Sequence, residues 1–285
     1  MTARPYGQAG GGAVPPVCPR HPDRVSYVRC QRCERPVCPE CQRPAPVGVQ
    51  CVDCVARAQA AVPARRTVFG GRARDGRPVV TIAIVALCLI VFAAQRVTPG
   101  VNTALFFVPG LGAVEPHRFL SAAFLHGSFL HLALNMYALW IVGSVLEPAL
   151  GRWRFLSLYL VSALGGSVGV LLFASPAVQD QWWGAVVGAS GAVFGLFGAV
   201  ALALRRAGRD ATQILVLIAI NTVLGFTVPN IAWQAHLGGL VTGVVLAAAY
   251  VSAPRTRSTV VGVVATLAVT VVVVALAVAK YALLT

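Results

Sequence analysis

Beyond about position 78 the chain settles into long apolar runs separated by short polar gaps. Seven runs of roughly 18–21 residues fall at about 79–97, 128–146, 155–174, 186–204, 211–228, 231–251 and 260–279, each long enough to cross a hydrocarbon core as a helix. The pattern predicts an all-α polytopic membrane protein in contact with the lipid bilayer. Only the first gap, about 98–127, is long. It mixes Pro99, Gly100, Pro109, Gly110, Gly112 and Pro116 with apolar pieces such as Leu105-Phe106-Phe107, which predicts an irregular, partly embedded loop.

The N-terminal part is different. Residues 1–17 are rich in Gly and Pro and are expected to be disordered. Cysteines cluster in 18–54, and 55–78 reads as a basic linker carrying Arg57, Arg65, Arg66, Arg72, Arg74 and Arg77. Composition agrees with the hydropathy: the 285 residues are 57% hydrophobic and 11% charged, against roughly 25% charged in soluble domains. The formal charge of +14 invites a nucleic-acid partner. The basic residues, however, lie before the first run and in the gaps, where they act as topology signals, and no nucleic-acid partner is expected. The bias to Arg, Ala, Gly, Val and Pro points to a GC-rich, bacterial genome. No apolar run opens the chain, so no cleavable signal peptide is expected.

With the N-terminus in the cytosol, 20 of the 23 basic residues are cytosolic, leaving only Arg96, Arg118 and Lys280 outside. The positive-inside rule thus predicts a multi-pass protein of the cell membrane in that orientation. Trp182, Trp183 and Trp233 then mark the outer interface. Continuous helix from Trp183 would place Ser190 roughly 10 Å below that belt, and His236 follows Trp233 closely from the same side.

Polar groups at membrane depth point to function. Gly191, Gly195 and Gly198 lie beneath Ser190 on one helical face, and Ala235, Gly239 and Gly243 line the face next to His236. Small residues at this spacing let helix backbones approach in lipid, so a hydrogen-bonded Ser–His pair is predicted. A base beside a serine turns a weak nucleophile into an effective one. Glu147 lies at the cytosolic end of the second run and the other acids lie in loops or the N-terminal segment, so a dyad rather than a triad is expected. His131 and Asn135, four apart, and the Ser190 backbone N–H can donate to a developing oxyanion. A metal site from His126, His131 and His236 competes, but no carboxylate or cysteine pair completes it. No cofactor is expected for catalysis.

These residues resemble the rhomboid family of intramembrane serine proteases. The resemblance spans about 79–252 and rests on Arg118, the His126/His131/Asn135 pattern, Gly188-Ala189-Ser190-Gly191, and Ala235-His236 with Gly239 and Gly243. It implies a six-helix core followed by a seventh helix within 253–285. It also implies Ser190 as nucleophile, His236 as base, an oxyanion hole of Ser190, His131 and Asn135, and supporting roles for His126, Arg118 and Glu147. Transmembrane protein substrates follow from the same resemblance. Two positions depart from the family pattern: His117 replaces the usual tryptophan, and Phe194 replaces a frequent tyrosine, keeping a stacking face but no hydroxyl. A catalytically silent client-binding relative is the alternative, although such relatives have usually lost the serine or the histidine. A transporter would more often show internal repeats.

The N-terminal spacing is Cys18-x2-His21-x8-Cys30-x2-Cys33-x4-Cys38-x2-Cys41-x9-Cys51-x2-Cys54. Eight ligands in four close pairs suit two structural zinc ions, and a reducing cytosol disfavours disulfides. Cys88 is left over as a small apolar residue. The pattern resembles B-box-like zinc fingers, whose cross-braced pairing would give Cys18/His21/Cys38/Cys41 and Cys30/Cys33/Cys51/Cys54; sequential pairing is the alternative. A cytosolic protein partner suits such a module better than DNA.

Overall fold

The computed structural model describes residues 14–61, 77–228, 231–254 and 256–284. Most of the expected disordered tail and much of the expected linker, at 1–13 and 62–76, lie outside the described residues. The chain divides into two compact units, Met1–Ala64 and Arg65–Thr285.

The first unit holds two antiparallel ribbons, β1 (Val17–Cys18) with β2 (His21–Val25) and β3 (Gln42–Pro44) with β4 (Val49–Cys51), followed by helix α1 (Val52–Ala61). Both edges of the expected 18–54 module move. Val17 pairs with Val25 and the Pro16 carbonyl accepts from the Ser26 N–H at 2.8 Å, so the end of the expected tail is ordered. At the other side α1 carries on past Cys54 into the expected linker. The core of this unit is Val37 with six buried cysteines.

The second unit is helical: α2 (Val79–Val97), α3 (Val101–Leu105), α4 (Arg118–Ser121), α5 (Phe129–Leu150), α6 (Arg152–Phe173), α7 (Gln179–Trp182), α8 (Ser190–Arg206), α9 (Thr212–Thr227), α10 (Trp233–Ser252) and α11 (Ser258–Ala282). Seven of these answer to the seven apolar runs, and α2, α5, α6, α10 and α11 are each long and apolar enough to cross a membrane. The fourth and fifth runs give shorter helices, α8 with 17 residues and α9 with 16. The fourth begins late because Val186, although apolar, is extended and bridges Phe107. Residues 183–189 are therefore not helical, and the depth counted from Trp183 by helical rise does not apply to Ser190.

Three helices form the centre. α8 and α10 run so close that a side chain at Gly239 would collide with the Gly191 carbonyl, and one at Gly243 would collide with the Gly195 backbone. α6 closes the third side: side chains at Gly169 or Gly166 would press on the Gln234 and Ala235 carbonyls of α10. Thr242 fills the notch left by Gly165, and Ser162 the one left by Gly195. In lipid, where apolar surface gains little from leaving solvent, such backbone contact supplies the van der Waals energy that holds helices together. By contrast α9 buries only Gly225.

Polar groups fix the periphery. Glu147, in the last turns of α5, accepts from the backbone N–H groups of Val80 (3.0 Å) and Thr81 (2.8 Å) and from the Thr81 hydroxyl (2.9 Å). It thereby caps the first turn of α2, whose own N–H groups have no intrahelical acceptor. α5 itself begins on Ser128, whose hydroxyl accepts from the His131 N–H at 3.1 Å.

Two stability outcomes are expected. Gly239→Ala should force α8 and α10 apart and destabilise the second unit by about 1–3 kcal/mol, the usual range for overpacking. Glu147→Ala should cost about 2–3 kcal/mol by leaving the α2 donors unpaired. Unfolding of full-length protein by SDS titration from mixed micelles reads both, and unchanged midpoints would remove these contacts from the account of stability.

Candidate active site and metal-binding groups

Ser190 is the first residue of α8 and His236 lies in the first turn of α10. The glycine contacts that bring the two helices together start one residue below the serine, at Gly191 against the Ala235 carbonyl. The His236 Nε2 and Ser190 Oγ stand 2.9 Å apart, within hydrogen-bond distance. Phe194, one turn below Ser190, stacks on His236 with ring centroids 4.2 Å apart and planes at 13°. The far nitrogen of that ring, Nδ1, is buried with no hydrogen-bond partner among the described residues.

The approach to Ser190 is held from the loop before α5. Gly188 has φ +130°, a backbone region that L side chains rarely adopt, and its N–H donates to the Ala122 carbonyl at 3.0 Å. A Cβ on Gly188 would sit 2.8 Å from the His131 imidazole and 3.8 Å from Ser190 Oγ. The missing side chain thus leaves a small polar recess between His131 and the serine. The first N–H groups of α8 begin two residues further on and have no intrahelical acceptors.

The other expected site residues are less uniform in their placement. Asn135 is buried, but its amide donates to the His131 carbonyl at 2.9 Å within its own helix. A second amide N–H remains for another acceptor. His126 is buried edge-on against His131, with centroids 5.2 Å apart, and its backbone N–H and carbonyl pair with Gln95 at 3.1 and 3.3 Å. Arg118 and Glu147 do not meet. Arg118 donates to Glu115 through Nε (2.5 Å) and to the Phe106 carbonyl through Nη1 (2.9 Å), while Glu147 caps α2. His117 pairs through Nε2 with the Ala104 carbonyl at 3.0 Å. Sequence reasoning missed Gln95 and Glu115. Both are partners set by loop folding, with no spacing signal to announce them.

In the first unit, all eight candidate ligands gather into the alternating groups Cys18/His21/Cys38/Cys41 and Cys30/Cys33/Cys51/Cys54, and each group can hold a metal ion. His21 Nδ1 lies 4.0, 3.3 and 3.4 Å from the Sγ atoms of Cys18, Cys38 and Cys41, and Cys33 and Cys51 Sγ are 3.7 Å apart. A tetrahedron with 2.3 Å metal–sulfur bonds has edges of roughly 3.8 Å, so the donor sets fit. The cysteines are free thiols. The Cys18 thiol is lowered to about 6, chiefly by the Cys38 backbone N–H, while burial pushes Cys41 up to about 11, helped by Cys18 and Cys38. A cation among them would relieve that repulsion. The other His21 nitrogen, Nε2, faces Glu40 at 3.8 Å, and Arg24 holds that carboxylate at 2.6 Å. Carboxylates commonly orient ligating histidines in this way. Glu40 was not singled out from the sequence, where it is one unremarked acid between ligands.

A family model described as Rhomboid domain matches residues 113–253. The chain is 36% identical over 188 residues to the rhomboid protease GluP of Bacillus subtilis (strain 168), covering 62% of this chain and 36% of that protein. RHOMBOID-like protein 5 of Arabidopsis thaliana is 36% identical over 136 residues, covering 45% of this chain and 42% of that protein. The chain thus spans less than half the length of either. The putative rhomboid protease YdcA of Bacillus subtilis (strain 168) is 32% identical over 178 residues, 59% of this chain, and those residues take in 86% of YdcA. With 86% of YdcA covered at 32% identity, the chain belongs to the rhomboid family.

Proposed function

We propose that this chain is an intramembrane serine endopeptidase that hydrolyses peptide bonds in or beside the transmembrane segments of membrane proteins. The observation that carries the reading is the 2.9 Å contact between Ser190 Oγ and His236 Nε2, held by a glycine-packed pair of membrane helices. Relatives named as rhomboid proteases support it.

His236 takes the Ser190 proton through Nε2 as Oγ attacks the scissile carbonyl carbon. The new C–O bond leaves a tetrahedral oxyanion in the recess left by Gly188, where the α8 N-terminal N–H groups, His131 and Asn135 donate to it. Collapse breaks the C–N bond, and His236 returns the proton to the leaving amine. Water, activated by the same histidine, then hydrolyses the acyl-enzyme. Among the described residues no carboxylate pairs with the transient imidazolium; the face of Phe194 lies against it, a placement that favours a cation. A helical substrate must unwind to offer its carbonyl, so small or helix-breaking residues are expected near the cut. With the N-terminus cytosolic, as the basic residues favour, cleavage falls in the outer part of the cell membrane.

In the first unit, the two four-ligand groups bind structural zinc. That unit is too small, and its apolar core too sparse, to fold without such staples.

Two outcomes are expected. In proteoliposomes carrying a single-pass substrate, Ser190→Ala and His236→Ala should each abolish cleavage and labelling by a fluorophosphonate. A wild-type protein that neither cleaves nor labels would favour the catalytically silent client-binding alternative. For the module, a fragment of residues 14–64 should carry about two zinc ions by elemental analysis, at four ligands per metal, and lose its dispersed amide signals on chelation. Near-zero zinc in freshly reduced fragment would reject the metal assignment.

A further inference from the structure

The hydropathy of the seventh run ends near residue 279. The helix that forms, α11, continues to Ala282, and Tyr281 in its last turn reaches the outer loop. We infer that Tyr281 is a positioning residue for Ser190: it holds the loop whose residue Phe107 is paired with the strand-like segment leading into the serine. This rests on the protease reading given above.

The chain of contacts is short. The Tyr281 hydroxyl donates to the Pro109 carbonyl at 2.7 Å and occupies the space left by Gly112, where any side chain would collide with it. Its ring stands edge-on to Trp182, with centroids 6.3 Å apart, and Gly110 leaves room for both Trp182 and Trp183. Two residues before Pro109, the buried Phe107 exchanges both backbone hydrogen bonds with Val186, at 3.0 and 2.8 Å. Gly188 and Ser190 follow directly on Val186. Phe107 also packs in one buried cluster with Val273 and Ala277 of α11 and with Ala235, the neighbour of His236.

α11 itself is fixed at its other end. Arg154 Nη2 donates to the Ser258 carbonyl at 2.6 Å, and the hydroxyls of Tyr250 and Thr266 bond at 2.7 Å. The hydroxyl of Tyr281 is therefore presented from an anchored strut, and the loop it grips is otherwise short of regular structure. Loss of that grip frees the Phe107–Val186 pair, and with it the φ +130° turn at Gly188 that sets the recess beside Ser190.

Tyr281→Phe tests this, because it removes the hydroxyl and keeps the ring against Trp182. Full-length protein in proteoliposomes is assayed for substrate cleavage, for fluorophosphonate labelling, and for amide hydrogen exchange over 105–112 and 184–189. The expected result is a fall in kcat of roughly three- to tenfold, the range for one lost neutral hydrogen bond, with KM unchanged. Labelling should slow in proportion and both segments should exchange faster, while the thermal midpoint stays put. Val278→Ala, on the exposed face of the same helix, should change none of these. Unchanged exchange and kcat in Tyr281→Phe would overturn the inference, as would a change confined to KM or to the thermal midpoint. A wild-type protein silent in both activity assays would sink the protease reading instead, and faster exchange in both segments would still uphold the tie.

Discussion

The carbonyl of Gly191 occupies the place where a side chain on Gly239 would have to go, and the membrane unit depends on that contact. A bilayer offers helices almost no hydrophobic reason to associate, so affinity must come from atoms brought within van der Waals range. Backbone against backbone is the closest range available, and only glycine permits it. Because the contact zone starts one residue below Ser190 and runs past His236, the separation of hydroxyl and imidazole is inherited from the helix crossing. α6 completes the arrangement by setting Gly165 and Gly169 against the neighbouring stripe of α10, Gln234, Gly238 and Thr242, while Gly166 meets the Ala235 carbonyl.

The loop between α2 and α5 meets a different constraint. Irregular backbone near the hydrocarbon core is tolerated only when its polar groups are satisfied internally. The Phe107–Val186 bridge, the Gly188 N–H on the Ala122 carbonyl, Arg118 on the Phe106 carbonyl and Ser121 on the Leu105 carbonyl do this residue by residue. At the opposite end of the unit Glu147 plays the same part for the start of α2. A rigid, nearly apolar centre is thus framed by polar fixings at both ends, and the recess beside Ser190 opens where the two regimes meet.

The sequence carried the seven apolar runs and the small-residue stripes on α8 and α10 because hydropathy and four-residue spacing are local properties. It left two ligand groupings open for the cysteines, and folding selects the alternating one. It hid the start of α8: Val186 and Val187 continue the hydropathy of the run, yet hydropathy reports burial and not backbone dihedrals. The third glycine stripe, on α6, gives no functional signal in the sequence, because its helix carries no candidate chemistry. Glu147 and Tyr281 were legible as residues but not as contacts, since one accepts from a backbone N–H 66 residues earlier and the other bonds a carbonyl 172 residues away. Pairings of that separation leave no periodic trace in a single chain.

Both units solve one problem without the force that organises most folds. The first is too small to gather an apolar core, and its buried interior is made of thiols. Each ligand group then acts as a core element, with direction and fixed spacing where a leucine would have neither. The second unit has apolar residues in abundance, and side chains such as Phe155, Tyr159 and Leu196 are buried in it, but lipid weakens their tendency to cluster, and its central helices cross through residues with almost no side chain. In both cases the spacing of the interior is set by short, directional or backbone-limited contacts. Such interiors tolerate few substitutions at the contact points and many elsewhere. The positions that matter are therefore cysteine and histidine in one unit, and glycine in the other.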